Sequence, residues 1–150
     1  MVLTVEPATS RETGAPPPAF GISDPGCRVD ALRIGRRAGI AVTLSGALRA
    51  ATILALLDSL DSAGPAFVLI DESELKVGLI GPGDIHRIAH RWSVAEHLRD
   101  AAIAVVAPNP VVYGMNRMFQ LVSNADTRLA VFWNRGAALG WVSTLDSPAA

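Results

Sequence analysis

Two short apolar runs constrain the fold of this chain more than any other feature of its sequence. They are AFVLI at 66–70 and AAIAVVA at 101–107, and neither contains a charged side chain. Continuous apolar runs of this length are typical of strands that are buried on both faces. Such strands belong to parallel sheets covered by helices, so the sequence predicts a helix-covered sheet.

The segments around these two runs alternate between extended and helical patterns. Residues 28–34 and 40–44 are predicted to pair as a hairpin, with Arg36, Arg37 and Gly39 marking the turn. Further elements are a strand at 129–133 and helices over 47–62 (capped by Ser45), after 81–84, from 110 onward (capped by Asn109, with Pro110 at the first helical position) and over 138–145. The predicted fold class is therefore α/β, with a mixed, mostly parallel sheet of four to five strands covered by helices.

The chain has 150 residues, which is enough for one domain with a sizeable core. Half of its ten prolines lie in residues 1–26, three of them in succession at 16–18. Consecutive prolines favour an extended segment and exclude a helix. We expect a flexible tail at 1–26, an α/β domain at 27–146 and a short tail at 147–150.

Charge and composition exclude several classes of protein. Thirteen basic and fourteen acidic residues give a net charge of −1, which argues against a nucleic-acid partner. The first residues do not resemble a signal peptide, and the longest mostly apolar stretch, 48–60, is too short and too polar to cross a bilayer. We expect a soluble, cytoplasmic protein without membrane insertion. The single cysteine, Cys27, excludes an intrachain disulfide and a zinc site made of cysteines alone.

Four stretches between residues 28 and 143 carry a resemblance to a known family: ALRIGRRAGIAVTLSGAL, AFVLID, AIAVVAPNPVVYGMNRMF and LAVFWNRGAALGWV. Together they resemble the SpoIIAA-like, or STAS-type, domains, a group that includes anti-sigma-factor antagonists. The resemblance implies a sheet of four or five strands with helices mainly on one side, and partner binding rather than catalysis. In the antagonists a phosphorylatable Ser or Thr begins the helix after the central strand, whereas this chain has Gly-Pro-Gly-Asp at 81–84.

The candidates for binding a protein partner lie in the loops predicted at 71–84 and on the outward side of the helix that begins at Pro110. They are Asp71, Tyr113 and Arg117, of which Arg117 alternatively has a structural role, tied to a loop carbonyl or to Asp71. Ser73 is a candidate phosphorylation site, because a phosphate among the neighbouring carboxylates would reshape the loop predicted there. The alternative is an ordinary loop serine.

Two further motifs could each bind an ion, but each also has an ordinary structural interpretation. His86 and His90, four residues apart, share a helix face and could chelate a metal with His97 or Asp84. The plainer interpretation is a solvated face shared with nearby arginines, and we expect no metal. The glycines at 78, 81 and 83 suit an anion-binding loop or, more simply, the entry to a helix.

Nothing in the sequence predicts a nucleophile. Cys27 has no histidine near it in sequence, and no Gly-x-Ser-x-Gly motif is present. We therefore expect a non-enzymatic protein-interaction module without a cofactor, acting in regulatory signalling. The alternative is a carrier of a small apolar or lipid-like ligand, for which Met115 and Met118 would line a cavity.

Overall fold

The computed structural model describes residues 24–76, 78, 80–122 and 128–145, together with the backbone of a short strand near the N-terminus. In chain order the elements are β1 Val5–Pro7, β2 Cys27–Ile34, β3 Arg37–Ala47, α1 Ala50–Ala63, β4 Phe67–Lys76, α2 Pro82–Ser93, a 3-10 turn Leu98–Asp100, β5 Ala102–Val106, α3 Pro110–Val122, β6 Arg128–Phe132 and α4 Arg135–Thr144. The predicted α/β class is confirmed.

The strands lie in the sheet in the same order as in the chain, from β1 to β6. β1, β2 and β3 pair antiparallel, whereas β3, β4, β5 and β6 are parallel, so the sheet is mixed and mostly parallel as predicted. β1 adds a short edge strand from within the segment predicted to be a tail. Residues 1–4, 8–23 and 146–150 lie outside the described residues.

The two faces of the sheet are covered unequally. Successive side chains of a strand point to opposite faces, so Val68 and Ile70 face one way and Phe67 and Leu69 the other. The first face packs against α1, α2 and α3, and the second packs against α4. This division follows from the connections, since the crossovers between parallel strands have one hand and place their helices on one side.

Three local predictions were wrong. Ser45 does not cap a helix: it lies in β3, and α1 begins at Ala50 after Arg49. β4 does not end at residue 70 but continues to Lys76, so Ser73 lies on a strand and not in a loop. Gly39 is also a strand residue, and the hairpin turn is formed by Gly35, whose φ of 60° is in the left-handed region.

Gly39 allows β3 to approach an aromatic ring closely. A Cβ atom at this position would lie 2.4 Å from the ring of Phe67, which is completely buried on β4. No side chain fits at that distance, so only glycine permits the observed packing. Gly114, on α3, has open space where a Cβ atom would lie.

The N-terminus of α3 is capped by Asn109, as the sequence predicts, and a substitution can test this cap. The side chain of Asn109 accepts a hydrogen bond from the N–H of Val111 at 2.8 Å, and Pro110 occupies the first helical position. Asn109→Ala should lower the free energy of unfolding by about 1 kcal/mol in urea denaturation, because this N–H loses its partner. Asn109→Asp, which keeps an acceptor, should stay close to the wild type. Equal losses in both variants would contradict a capping role.

Candidate functional site

An apolar cavity lies between the first face of the sheet and helices α1, α2 and α3, with a volume of about 90 Å³. An engineered protein cavity of about 150 Å³ holds benzene, so this space suits a smaller molecule or part of a longer one. Its lining residues are Leu44, Ile53, Leu56, Leu57, Ile70, Glu72, Leu75, Ile80, Ile85, Ile88, Trp92, Ile103, Val105, Met115, Asn116, Phe119 and Leu129.

The lining explains where the cavity meets the surface. The strand residues Ile103 and Val105 are completely or almost completely buried and form its floor. Ile80, before α2, and Met115 and Phe119, on α3, are only half-buried. The cavity is therefore closest to solvent between the start of α2 and the middle of α3.

Glu72 is the only acidic side chain among the described residues that line the cavity, and it is 8% exposed. It continues the inward-facing series of Val68 and Ile70 along β4, so the alternation of the strand places a carboxyl group among apolar side chains. Burial raises the pKa of Glu72 to about 7, since the charged form loses its hydration. A hydrogen bond from Asn116 opposes this rise, and the nearby charge of Asp71 adds to it.

Asn116 holds the Glu72 side chain in place from α3. Its Nδ2 donates one hydrogen bond to Glu72 Oε1 and another to the carbonyl oxygen of Val112, at 2.9 Å. The second bond is to the preceding turn of the same helix and fixes the orientation of the amide. The carboxyl group of Glu72 is thus oriented before any ligand binds.

Trp92 contributes an aromatic ring to the lining. Its side chain on α2 is 2% exposed and meets the ring of Phe119 edge to face, with ring centroids 5.9 Å apart. The indole Nε1 is buried and has no hydrogen-bond partner among the described residues.

The residues predicted to bind a partner lie outside the cavity. Asp71 alternates with Glu72 and faces the side of α4, where its carboxylate accepts a hydrogen bond from the N–H of Ser73 at 2.9 Å. The Ser73 hydroxyl is exposed and also donates to Asp71. Arg135, at the start of α4, pairs with Asp71 at 3.8 Å. The guanidinium near Asp71 is therefore that of Arg135 and not that of Arg117.

Tyr113 and Arg117 lie one turn apart on α3. The Tyr113 ring stacks on that of Trp133, with centroids 3.8 Å apart and planes 4° from parallel. Trp133 is 51% exposed, so the pair forms an aromatic surface at the carboxyl end of β6. Arg117 is exposed and donates a hydrogen bond to Gln120 at 2.7 Å. The structure thus joins Tyr113 to Trp133 instead of to the other predicted residues.

The histidines and the cysteine considered for metal binding and nucleophilic chemistry are not among the residues that line the cavity. Within 24–76, 78, 80–122 and 128–145, no three His, Cys, Asp or Glu side chains come together in a way that could hold a metal ion. His86 and His90 are exposed on α2. Burial, and then the charge of Asp24, raise the pKa of the Cys27 thiol, which disfavours the reactive thiolate.

Glu72, Asn116 and Trp92 were not predicted as site residues. The sequence contains a signal for Glu72, because it follows Val68 and Ile70 at the two-residue spacing of a strand face. The apolar run at 66–70 obscured that spacing and suggested that the strand ended. Asn116 and Trp92 join the cavity only through the packing of α3 and α2, which local periodicity does not reveal.

Comparisons with family models, with curated proteins and with solved structures gave no match to this chain. None of the helices in the described part of the chain combines the length and apolar character needed to cross a membrane.

Proposed function

We propose that this domain binds a small, mostly apolar molecule in the cavity between the sheet and α1, α2 and α3. The observation that carries the proposal is the lining: apart from Glu72 and Asn116 it is aliphatic, aromatic or methionine. Concave, mostly apolar spaces with a few oriented polar groups are the usual form of small-molecule sites. Met115 contributes to the lining as expected for a carrier, whereas Met118 is exposed on α3.

The apolar lining favours an apolar occupant. A molecule that fills the cavity makes dispersion contacts with the lining and removes its own apolar surface from water. The half-buried side chains of Ile80, Met115 and Phe119 mark where the cavity is closest to solvent, and hence where we expect a ligand to enter.

A substitution at the half-buried rim tests the cavity. Met115→Trp should reduce the affinity for pentane at least tenfold, because the larger side chain occupies ligand volume. The affinity is measured by NMR titration of backbone amides. Met118→Trp provides a matched control on the same helix, since Met118 is 39% exposed and lies outside the lining. Unchanged pentane binding in Met115→Trp, or equal losses in both variants, would contradict binding at this site.

A second candidate function, the binding of a protein partner in regulatory signalling, is favoured by the stacked pair Tyr113 and Trp133. An exposed tryptophan supported by a second ring loses little conformational freedom on binding, and aromatic residues dominate the energetics of many interfaces. The ion pair of Asp71 and Arg135 lies at the same end of the sheet, which provides polar groups for orientation. We infer a non-enzymatic role for both candidates.

The partner surface is tested by cross-linking the protein in lysate of its source cells and identifying the captured polypeptide. Trp133→Ala should lower the yield of a specific cross-linked partner at least fivefold, because the exposed half of the indole is removed. Arg117→Glu should weaken the same complex by reversing a charge beside it. Val94→Ala is the control, since Val94 is 55% exposed and lies on another part of the surface. Retention of the partner by Trp133→Ala would remove this surface from consideration.

Membership of the SpoIIAA-like family is also a proposal. It is supported by the mixed sheet and by the three helices packed on one of its faces, as the resemblance implies.

Phosphorylation of Ser73 is a proposal as well, supported by the exposure of its hydroxyl beside Asp71.

A further inference from the structure

Glu72 brings a hydrogen-bond acceptor without a partner to the lining of the cavity. Its Oε1 accepts a hydrogen bond from Asn116, whereas its second oxygen, Oε2, has no hydrogen-bond partner among the described residues. Unlike the Trp92 Nε1, Oε2 keeps surface that a water molecule can reach. A bound molecule can therefore contact this oxygen but not the indole nitrogen.

Asn116 also presents an acceptor to a ligand and not a donor. Its Nδ2 already donates two hydrogen bonds, one to Glu72 Oε1 and one to the carbonyl oxygen of Val112. An amide nitrogen has only two hydrogens to donate, so the amide oxygen is what remains. The polar atoms that the described lining residues offer to a ligand are therefore oxygens that accept.

The negative charge of Glu72 is not balanced by the residues around it. None of the described residues that line the cavity is Lys, Arg or His. The charged neighbour that acts on the pKa of Glu72 is Asp71, which is also negative, and Arg135 pairs with Asp71. Buried charges in proteins are normally paired. Once Glu72 ionises, above about pH 7, this cavity contains an anion that needs a counter-ion.

Apolar surface begins directly beside the carboxyl group. Ile70 and Leu75, on the same strand as Glu72, line the cavity with it, and Val105 lies opposite Ile70 on β5. Inward-facing positions of a strand are about 7 Å apart, so Ile70 and Val105 lie one such step from Glu72. A short hydrocarbon chain can rest on them while the polar group at its end meets Glu72.

We propose that the cavity binds a small primary alkylamine as its ammonium ion, with the hydrocarbon chain against Ile70 and Val105 and the ammonium group on Glu72 Oε2. This inference rests on the proposed function. An ammonium group has three donors and no lone pair, so it matches a lining whose polar atoms accept. It also supplies the counter-ion of Glu72, and hydrogen bonds between charged groups are the stronger ones.

Other end groups fit these oxygens less well. A carboxylate has no hydrogen to donate and places a second negative charge beside Glu72. A hydroxyl group can donate one hydrogen bond, but it leaves the charge of the Glu72 carboxylate unbalanced. An alkane fills the apolar part of the cavity and leaves Oε2 without a partner.

The experiment compares three probes of equal heavy-atom count: butylammonium, butan-1-ol and pentane. Each is titrated into the full chain at pH 8, where Glu72 is mostly ionised, and affinities are measured by NMR of the backbone amides. We expect butylammonium to bind roughly tenfold more tightly than butan-1-ol, because its hydrogen bond to Glu72 joins two charged groups. Butan-1-ol that binds as tightly as butylammonium would overturn the inference.

Glu72→Gln isolates the charge, since glutamine has a similar shape and can still accept the hydrogen bond from Asn116. It should lower the affinity for butylammonium roughly tenfold relative to that for pentane. Glu74→Gln is the matched control, because it removes an equal charge from an exposed position of the same strand and should leave the order of the probes unchanged.

The remaining outcomes separate this inference from the proposed function. An unchanged preference for butylammonium in Glu72→Gln would mean that another group binds the ammonium ion, and would overturn the inference. Binding of pentane without binding of butylammonium would overturn it too and leave the apolar site standing. Failure of all three probes to bind would overturn the proposed function itself.

Discussion

Glu72→Gln should raise the free energy of unfolding by about 3 kcal/mol at pH 8 and have little effect at pH 4.5. The wild-type carboxyl group is buried, its pKa is raised from 4.5 to about 7, and it must ionise inside the protein at pH 8. A difference of about 2.5 pKa units between the unfolded and folded states corresponds to roughly 3 kcal/mol. A glutamine has a similar shape and can still accept the hydrogen bond from Asn116.

The direction in which stability changes with pH follows from which state, folded or unfolded, binds the Glu72 proton more tightly. Between pH 4.5 and about 7 the folded protein keeps the Glu72 proton more firmly than the unfolded chain does. The stabilisation that protonated Glu72 provides is therefore complete below pH 4.5 and is lost as the pH rises towards 7. Above about pH 7 its loss is complete, and stability no longer changes with the titration of this group. The variant lacks the titrating group, so the gap between its stability and that of the wild type should widen across this range.

The measurement is urea denaturation of both proteins at several pH values from 4.5 to 8. Glu74→Gln is the matched control, because Glu74 lies two residues further along β4 but is exposed. Its stability should follow that of the wild type throughout. Stability curves for Glu72→Gln and the wild type that stay parallel across the pH range would show that Glu72 does not titrate as its burial requires.

Gly39→Ala should lower the free energy of unfolding by about 3 kcal/mol, at the upper end of the cost of overpacking a core. The added methyl group would lie 2.4 Å from the ring of Phe67. That ring is completely buried on the face of the sheet that α4 covers, so it cannot move aside without disturbing the core. The loss is measured by thermal or urea denaturation. Because the strain arises from one contact, Phe67→Leu should relieve it, and the double variant should be more stable than the sum of the single losses predicts.

Gly114→Ala is the control for the general effect of replacing glycine by alanine. Gly114 lies in the exposed part of α3 with no atom near its missing Cβ, so alanine should stabilise the protein by about 0.5–1 kcal/mol. Opposite signs for the two substitutions are expected. A stabilising or neutral Gly39→Ala would mean that β3 is not held against Phe67.

The sequence was most informative where one local pattern decided the structure. The apolar runs at 66–70 and 101–107 predicted the central strands, and Asn109 with Pro110 predicted the start of α3. Each of these signals acts within a few residues. The α/β class follows from them, because strands buried on both faces need helices to cover them.

The features that were missed depend on contacts between distant parts of the chain. Gly39 looked like a turn residue, since its role against Phe67 depends on the pairing of β3 with β4. Glu72 looked like the end of a strand, because a carboxyl group is rarely buried without a charged partner. Tyr113 was predicted to bind a partner, but the stacking of its ring on Trp133 is set by tertiary packing, and so is the contact between Trp92 and Phe119.

Each strand of the sheet lies beside the strand that precedes it in the chain, and this order affects how the protein can fold during synthesis. Because each strand pairs with the one before it, the sheet can grow at one edge as the chain leaves the ribosome, and no strand must insert between two others. α4, however, follows all six strands. The nascent sheet therefore carries Phe67, Leu69 and Val106 uncovered until residues 135–144 emerge, and this interval is when the chain most needs protection from aggregation.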